Sequence, residues 1–238
     1  MKRSDSGFSL IEALIVIVLV LIISDTIFST INMTLQRSSG EQTKVDLFQQ
    51  SREFMDQMSL DLRQAGYPSP RNLDPSVLTQ NPIINDSHAA GGVVKVDTGD
   101  LWFEGDMEGT GIVQVVRYHL DTSTSDGCPC LKRSQLPKIN GNPLTGQTAE
   151  EYAVQVQGVQ NTTIFSASTN GMPVGLPVDT SIMSGRPLAT VDTVQAMLTL
   201  RSTVIDQQTR TYPTTTLVTT IRLNNCSQAA VGYKSSCQ

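Results

Sequence analysis

Histidine is almost missing from this chain: His88 and His119 are the only two in 238 residues. His119 falls in an apolar, β-prone run, where an imidazole serves structure more often than catalysis. Charge is sparse too, at 16% of residues, and mildly acidic in balance, with 17 Lys+Arg against 22 Asp+Glu. A net charge of −5 argues against non-specific nucleic-acid binding, which needs a basic patch. There is no Walker loop, no dinucleotide glycine pattern, no His-Glu-x-x-His and no nucleophile elbow around any Ser. The expectation is a protein that is not an enzyme and carries no cofactor. Thr, Ser, Gln and Asn are abundant instead, as on extracytoplasmic β-rich surfaces.

Long apolar runs are also scarce, and the one that exists is placed unusually. Gly7-Phe8-Ser9-Leu10-Ile11-Glu12 leads straight into Ala13 to Ile23, with Lys2 and Arg3 before it. A secretory signal also joins a basic start to an apolar core, but it is cut behind the core at an A-x-A-like site. Ser24-Asp25-Thr26-Ile27-Phe28 offers no such site. Glu12 stands inside the apolar segment, where a carboxylate is expensive and is usually paired and functional. Asp25 marks the point where the helix meets the headgroups, or a second charge in need of a partner.

Gly7-Phe8-Ser9-Leu10-Ile11-Glu12 resembles the prepilin cleavage motif of type IV pilins and type II secretion pseudopilins. The resemblance implies that an aspartic prepilin peptidase cuts after Gly7 and N-methylates Phe8. Glu12 is then fifth in the mature chain and pairs with the amino terminus of a neighbouring subunit, setting axial register. It also implies a single-pass protein of the bacterial inner membrane with its head in the periplasm, later part of a pilus or pseudopilus. The implied partners are the peptidase, other minor and major pilins met through the amino-terminal helix, and the inner-membrane assembly platform.

The helix should run on beyond the membrane. From Ser24 to Ala65 there is no Pro and a single Gly, Gly40. Val45, Phe48, Met55 and Leu62, flanked by Leu47, Phe54 and Met58, recur at helical spacing and predict one buried stripe. Gly66 and Pro68 predict its end. Gly40 is a candidate bend between a lipid-facing half and a head-facing half. The expected division is a leader 1–7, a membrane or filament-core helix 8–33, an amphipathic half 34–66 and a globular head 67–238. Asp61-Leu62-Arg63-Gln64-Ala65-Gly66-Tyr67-Pro68 is similar to the helix end of PilW-type minor pilins and J-type pseudopilins. Phe103-Glu104-Gly105-Asp106, Val115-Val116-Arg117-Tyr118 and Thr220-Ile221-Arg222-Leu223-Asn224-Asn225 extend that similarity.

In the head, β-prone runs are expected at Val93 to Val96, Leu101 to Glu104, Ile112 to Leu120, Cys130 to Leu136, around Val154 to Val159, and at Leu217 to Leu223. The clearest is Val194 to Ile205. Val194, Ala196, Leu198, Leu200 and Val204 alternate there with polar residues, as on a sheet with one wet face. Strands after one long helix predict an α+β fold, with an antiparallel sheet laid on the helix's second half. Loop composition covers Tyr67 to Gly92, Pro137 to Gly146 and Asn170 to Pro187.

The four cysteines lie in the head. An even count in an exported chain reads as disulfides. Cys226 and Cys237 close a short carboxy-terminal loop, and their pairing would contribute roughly 2–3 kcal/mol in the chain-entropy picture. Cys128-Pro129-Cys130 is compatible with a local bridge, with cross-pairing to the tail, or with two thiolates on a metal. Asp106 and Glu108, spaced among Gly109 and Gly111, are a candidate calcium-binding turn, set against a plain solvated hairpin. The functional expectation is a minor pilin in a priming or tip complex. A J-type pseudopilin, a tip adhesin using loops 67–92 or 170–187, and a membrane-anchored periplasmic enzyme are the alternatives.

Overall fold

The computed structural model describes residues 9–69, 72–123, 128–180 and 191–223. Helix α1, Leu10–Gln64, is continuous. Its first thirty residues contain no buried side chain, and burial begins at Gly40. From there the buried positions are Leu47, Ser51, Phe54, Met55, Met58, Asp61 and Leu62. Spacings of three, four and seven make this one stripe. The stripe differs from the expected one, because Val45 and Phe48 are exposed. They lie off the Gly40–Leu47–Phe54–Asp61 line, and apolarity alone did not tell the head-facing side from its flank. The helix ends where Gly66 turns to φ +83, a conformation that suits Gly, and its N–H donates to Glu104 O at 2.8 Å.

The helix runs unbroken through Gly40. A Cβ there would meet the Asp206 carboxylate, with Oδ1 at 3.1 Å. The missing side chain is the space into which the head docks.

Among the described residues, a 3₁₀ turn at Ile83–Asn85 is followed by ten strands: β1 Val93–Val96, β2 Asp100–Gly105, β3 Gln114–Asp121, β4 Cys130–Pro137, β5 Ala153–Gln157, β6 Phe165–Thr169, β7 Met172–Val174, β8 Val178–Asp179, β9 Thr193–Arg201 and β10 Thr214–Arg222. The fold is α+β and antiparallel, but the expected single sheet is two. One runs β5-β4-β3-β2-β1-β8, the other β10-β9-β6-β7. The short β6, β7 and β8 carry too few residues for a clear alternation, and β7 and β8 lie in the stretch read as loop. In β9 the alternation holds through Leu200 and stops at Arg201, so Val204 is exposed rather than core-facing.

Besides the β1–β2 turn, where Thr98 O accepts from Ile164 N (2.7 Å) and Phe165 N (3.0 Å), the two sheets are stitched at a seam after β5. Gly158 O accepts from Arg201 N (2.9 Å), Gln160 N donates to Thr199 O (2.8 Å), and Val159 bridges Leu200. One apolar core spans the helix and both sheets, from Met58 and Leu62 to Phe103, Tyr118, Phe165, Leu198 and Ile221. Each such side chain, fully buried, contributes about 1.5–3 kcal/mol. Phe54 stands edge-on to Tyr118, with ring centroids 5.7 Å apart.

Candidate processing and assembly site

The helix starts at Leu10, two residues after the cleavage motif's Phe8, with Ser9 as its N-cap. Ser9 is extended (φ −74, ψ 139) and its carbonyl accepts the N–H of Glu12 (3.0 Å) and of Ala13 (3.1 Å). Gly7 and Phe8 lie outside the described residues. Glu12 is exposed in the first turn, where a carboxylate suits the positive end of the helix dipole. Among the described residues no cation pairs with it. Asp25 is likewise exposed on the helix surface.

The surface around Glu12 is apolar on every side. Leu10, Ile11 and every large apolar residue from Leu14 to Ile23 are about half exposed or more, as are Ile27, Phe28, Ile31 and Leu35. An 18-residue window of this helix reaches a mean hydropathy of 2.7, and none of it is buried. About 20 such residues cross a bilayer core. Three threonines along this half of the helix turn their hydroxyls back onto it. Thr26 Oγ1 donates to Ile23 O (2.7 Å), Thr30 to Thr26 O (2.8 Å) and Thr34 to Thr30 O (2.9 Å). Backbone groups in lipid must be satisfied within the segment, and these hydroxyls follow the same rule.

The second half of α1 is fixed to the head by charge, which the sequence reading missed. Asp61 is buried, and Tyr118 Oη donates to its Oδ2 at 2.7 Å. Arg133 donates to the same oxygen from Nε (2.9 Å) and pairs with it by charge, its Nη2 lying 2.8 Å away, while Gln57 Nε2 reaches Oδ1 (2.8 Å). Burial, with the Asp61 carboxylate facing it, pushes the Tyr118 hydroxyl up, so it remains a donor. The signal was available: a carboxylate interrupts an apolar stripe at a core position.

A second buried pair fixes a loop on the outer face of the first sheet. Lys138 Nζ, fully buried, donates to Glu104 Oε2, Ile84 O and Ala89 O, each at 2.7 Å. Gly91 N donates to the same Glu104 oxygen at 2.8 Å, and a Cβ on Gly91 would collide with it. Burial pushes the Glu104 carboxyl up, against the pull of Lys138. Lys138 sits in a stretch read as turn, and nothing local marked it.

The remaining expected site residues are placed as follows. Cys128 and Cys130 are joined to each other across Pro129. Cys226 and Cys237 lie outside the described residues. Asp106 accepts Thr110 N (3.0 Å) and Gly111 N (2.7 Å), one on each oxygen, so it closes the turn itself. Glu108 accepts instead from Gln135 Nε2 (3.2 Å). His119 faces outward and pairs through Nδ1 with Asp100 (2.6 Å). Trp102 is half-buried on that same face, with the Arg117 guanidinium 3.5 Å over its ring.

Residues 2–24 match the family model described as the prokaryotic N-terminal methylation motif. No curated protein and no solved structure matches the chain. The matched motif, the unburied apolar helix and the antiparallel head together define a type IV pilin-like architecture. The motif is that of type IV pilin-like prepilins, and it implies processing by prepilin peptidase and association with a membrane.

Proposed function

We propose that this protein is a non-catalytic minor pilin. It is inserted in the inner membrane with its head in the periplasm, cut after Gly7, N-methylated at Phe8, and joined to a filament through the apolar half of α1. The single observation that carries this reading is a lipid-compatible helix surface, headed by the matched motif, with one carboxylate in its first turn. In the membrane, lipid covers that surface; outside it, only other apolar helices can. Glu12 then supplies axial register, because a carboxylate in such a bundle is stable only opposite a cation. The free amino terminus of a neighbouring subunit is the cation at the right depth.

A minor role in a priming or tip complex is supported by the bulk of the head. Its described residues carry ten strands and long connections, such as the segment between α1 and β1. A head of this size crowds a lattice built from one repeating subunit. The J-type pseudopilin reading uses the same amino terminus and differs in the system that receives the subunit.

The test is intact mass and amino-terminal sequencing of protein from the native host, with and without prepilin peptidase. A chain beginning at N-methylated Phe8, only when the peptidase is present, is expected. A chain that keeps Met1, or is cut beyond Ile23, overturns the reading. Deleting the gene then separates the two systems: loss of surface pili supports the minor pilin, and loss of protein secretion with pili intact supports the pseudopilin.

A further inference from the structure

We propose that Asp121, Cys128 and Cys130 form a redox-gated site for a thiophilic divalent cation such as Zn²⁺. The register of β3 on β4 places Asp121 directly opposite Cys130 at the loop end of the hairpin. Cys128, two residues earlier, is bonded to Cys130. One carboxylate oxygen and the two sulfurs all lie within 4.8 Å of one another. Zinc takes sulfur at about 2.3 Å and carboxylate oxygen at about 2.0–2.2 Å, usually in a tetrahedron, so the carboxylate is already near, and the two sulfurs must part to roughly 3.8 Å once their bond opens. Two thiolates and one carboxylate leave a fourth position for water.

Burial suits a partly shielded site with one open side. Cys130 is fully buried and Cys128 nearly so, whereas Asp121 is half-buried. Asp121 is already held as a carboxylate: Lys132 Nζ donates to Oδ2 (2.6 Å) and Ser123 N to Oδ1 (2.8 Å). Lys132 is therefore the group with which an incoming cation competes.

The gate is the disulfide. While the sulfurs are bonded to each other neither is a thiolate, and thiolate is the form that binds metal. A small dithiol opens the site by thiol–disulfide exchange. It gives up two electrons and two protons, becomes a disulfide itself, and leaves Cys128 and Cys130 as thiols. Zinc binding then releases the two thiol protons. Occupancy is felt at the seam between the sheets, because Pro129 O accepts the N–H of Val159 at 3.0 Å.

The test uses the full chain in detergent with Cys226→Ser and Cys237→Ser, so that only the hairpin sulfurs remain. The protein is reduced with a dithiol, freed of it without air, and titrated with Zn²⁺ against a chromophoric chelator. One Zn²⁺ per chain is expected after reduction and none before, with two protons released. Asp121→Asn is expected to weaken binding at least about tenfold, and Lys132→Met to strengthen it. Co²⁺ on the same protein, with the three ligands intact, is expected to show thiolate charge-transfer absorbance, a signature that needs no substitution at the site. A reduced chain that takes up no Zn²⁺ at micromolar concentration, or binding that Asp121→Asn leaves unchanged, overturns the proposal.

Discussion

Asp61 and Arg133 are 72 residues apart in the chain and 2.8 Å apart in the fold. The first belongs to the helix that enters the membrane, the second to a central strand of the head. Their pair, with the Tyr118 hydroxyl on the same carboxylate oxygen, makes the second half of α1 part of the head rather than a stalk beneath it. Removing one partner of a buried pair leaves the other charge uncompensated, at a cost of about 3–5 kcal/mol. Asp61→Ala is therefore expected to lower the unfolding free energy of the head by that order, read as a fall in its urea midpoint. Asp61→Leu combined with Arg133→Met should recover part of the loss. Equal stability of Asp61→Ala and the parent would remove the pair from the account of how helix and head are joined.

Gly40 is expected to control the hairpin loop between β9 and β10. Asp206 anchors that loop on Gly40 and turns it on itself, accepting the N–H of Gln208 and giving its own N–H to Thr211 O, each at 2.9 Å. Gly40→Ala gains up to about 1 kcal/mol of helix propensity but forces the carboxylate back. Gly40→Leu allows no such adjustment. Hydrogen exchange should show residues 202–213 losing protection in Gly40→Leu, with the core strand β3 unchanged. Protection equal to the parent's would mean that the contact holds nothing.

Acid should weaken the segment 79–91 through Asp86. Burial alone would raise this carboxyl. The N–H and ring of His88, with the N–H groups of Thr79 and Gln80, outweigh burial and hold it well below its ordinary 3.8. A carboxyl lower in the folded than in the unfolded state contributes stability above its unfolded value and loses it as pH falls. The contribution of Asp86 is thus complete only well above its ordinary 3.8 and is lost progressively as pH falls through and below that value. Asp86→Asn should flatten that acid limb in a pH series of thermal melts. An unchanged limb would assign the acid sensitivity elsewhere.

Glu12→Val should separate processing from assembly. The substitution leaves Gly7 and Phe8 in place and makes the helix more apolar, so cleavage and methylation are expected to continue. What it removes is the carboxylate in the first turn of the helix. Recovery of the subunit in sheared filaments should fall at least about tenfold, the scale of a single ion pair lost from a low-dielectric site. Immunoblots of membrane and filament fractions read both effects. Normal incorporation would leave Glu12 without an assembly role.

The chain's own order determined the part of this protein that faces lipid. A short basic start, a Gly-Phe pair, one carboxylate and an unbroken apolar run are local features, and each keeps its meaning whatever the head does. The helix end was legible for the same reason, since Gly66 and Pro68 act within one turn. So was strand β9, where alternation from Val194 to Leu200 matches a half-buried sheet. Tertiary structure alone decided which side of α1 the head grips, leaving Val45 and Phe48 exposed and filling the space above Gly40 with Asp206. It also decided that the strands divide into two sheets, and that Asp61 meets Arg133, Glu104 meets Lys138 and Asp121 meets Cys130. Each of these depends on strand register between distant segments. A charge is written in the sequence, but the cost of burying it, and the partner that offsets that cost, exist only once the sheets are in place.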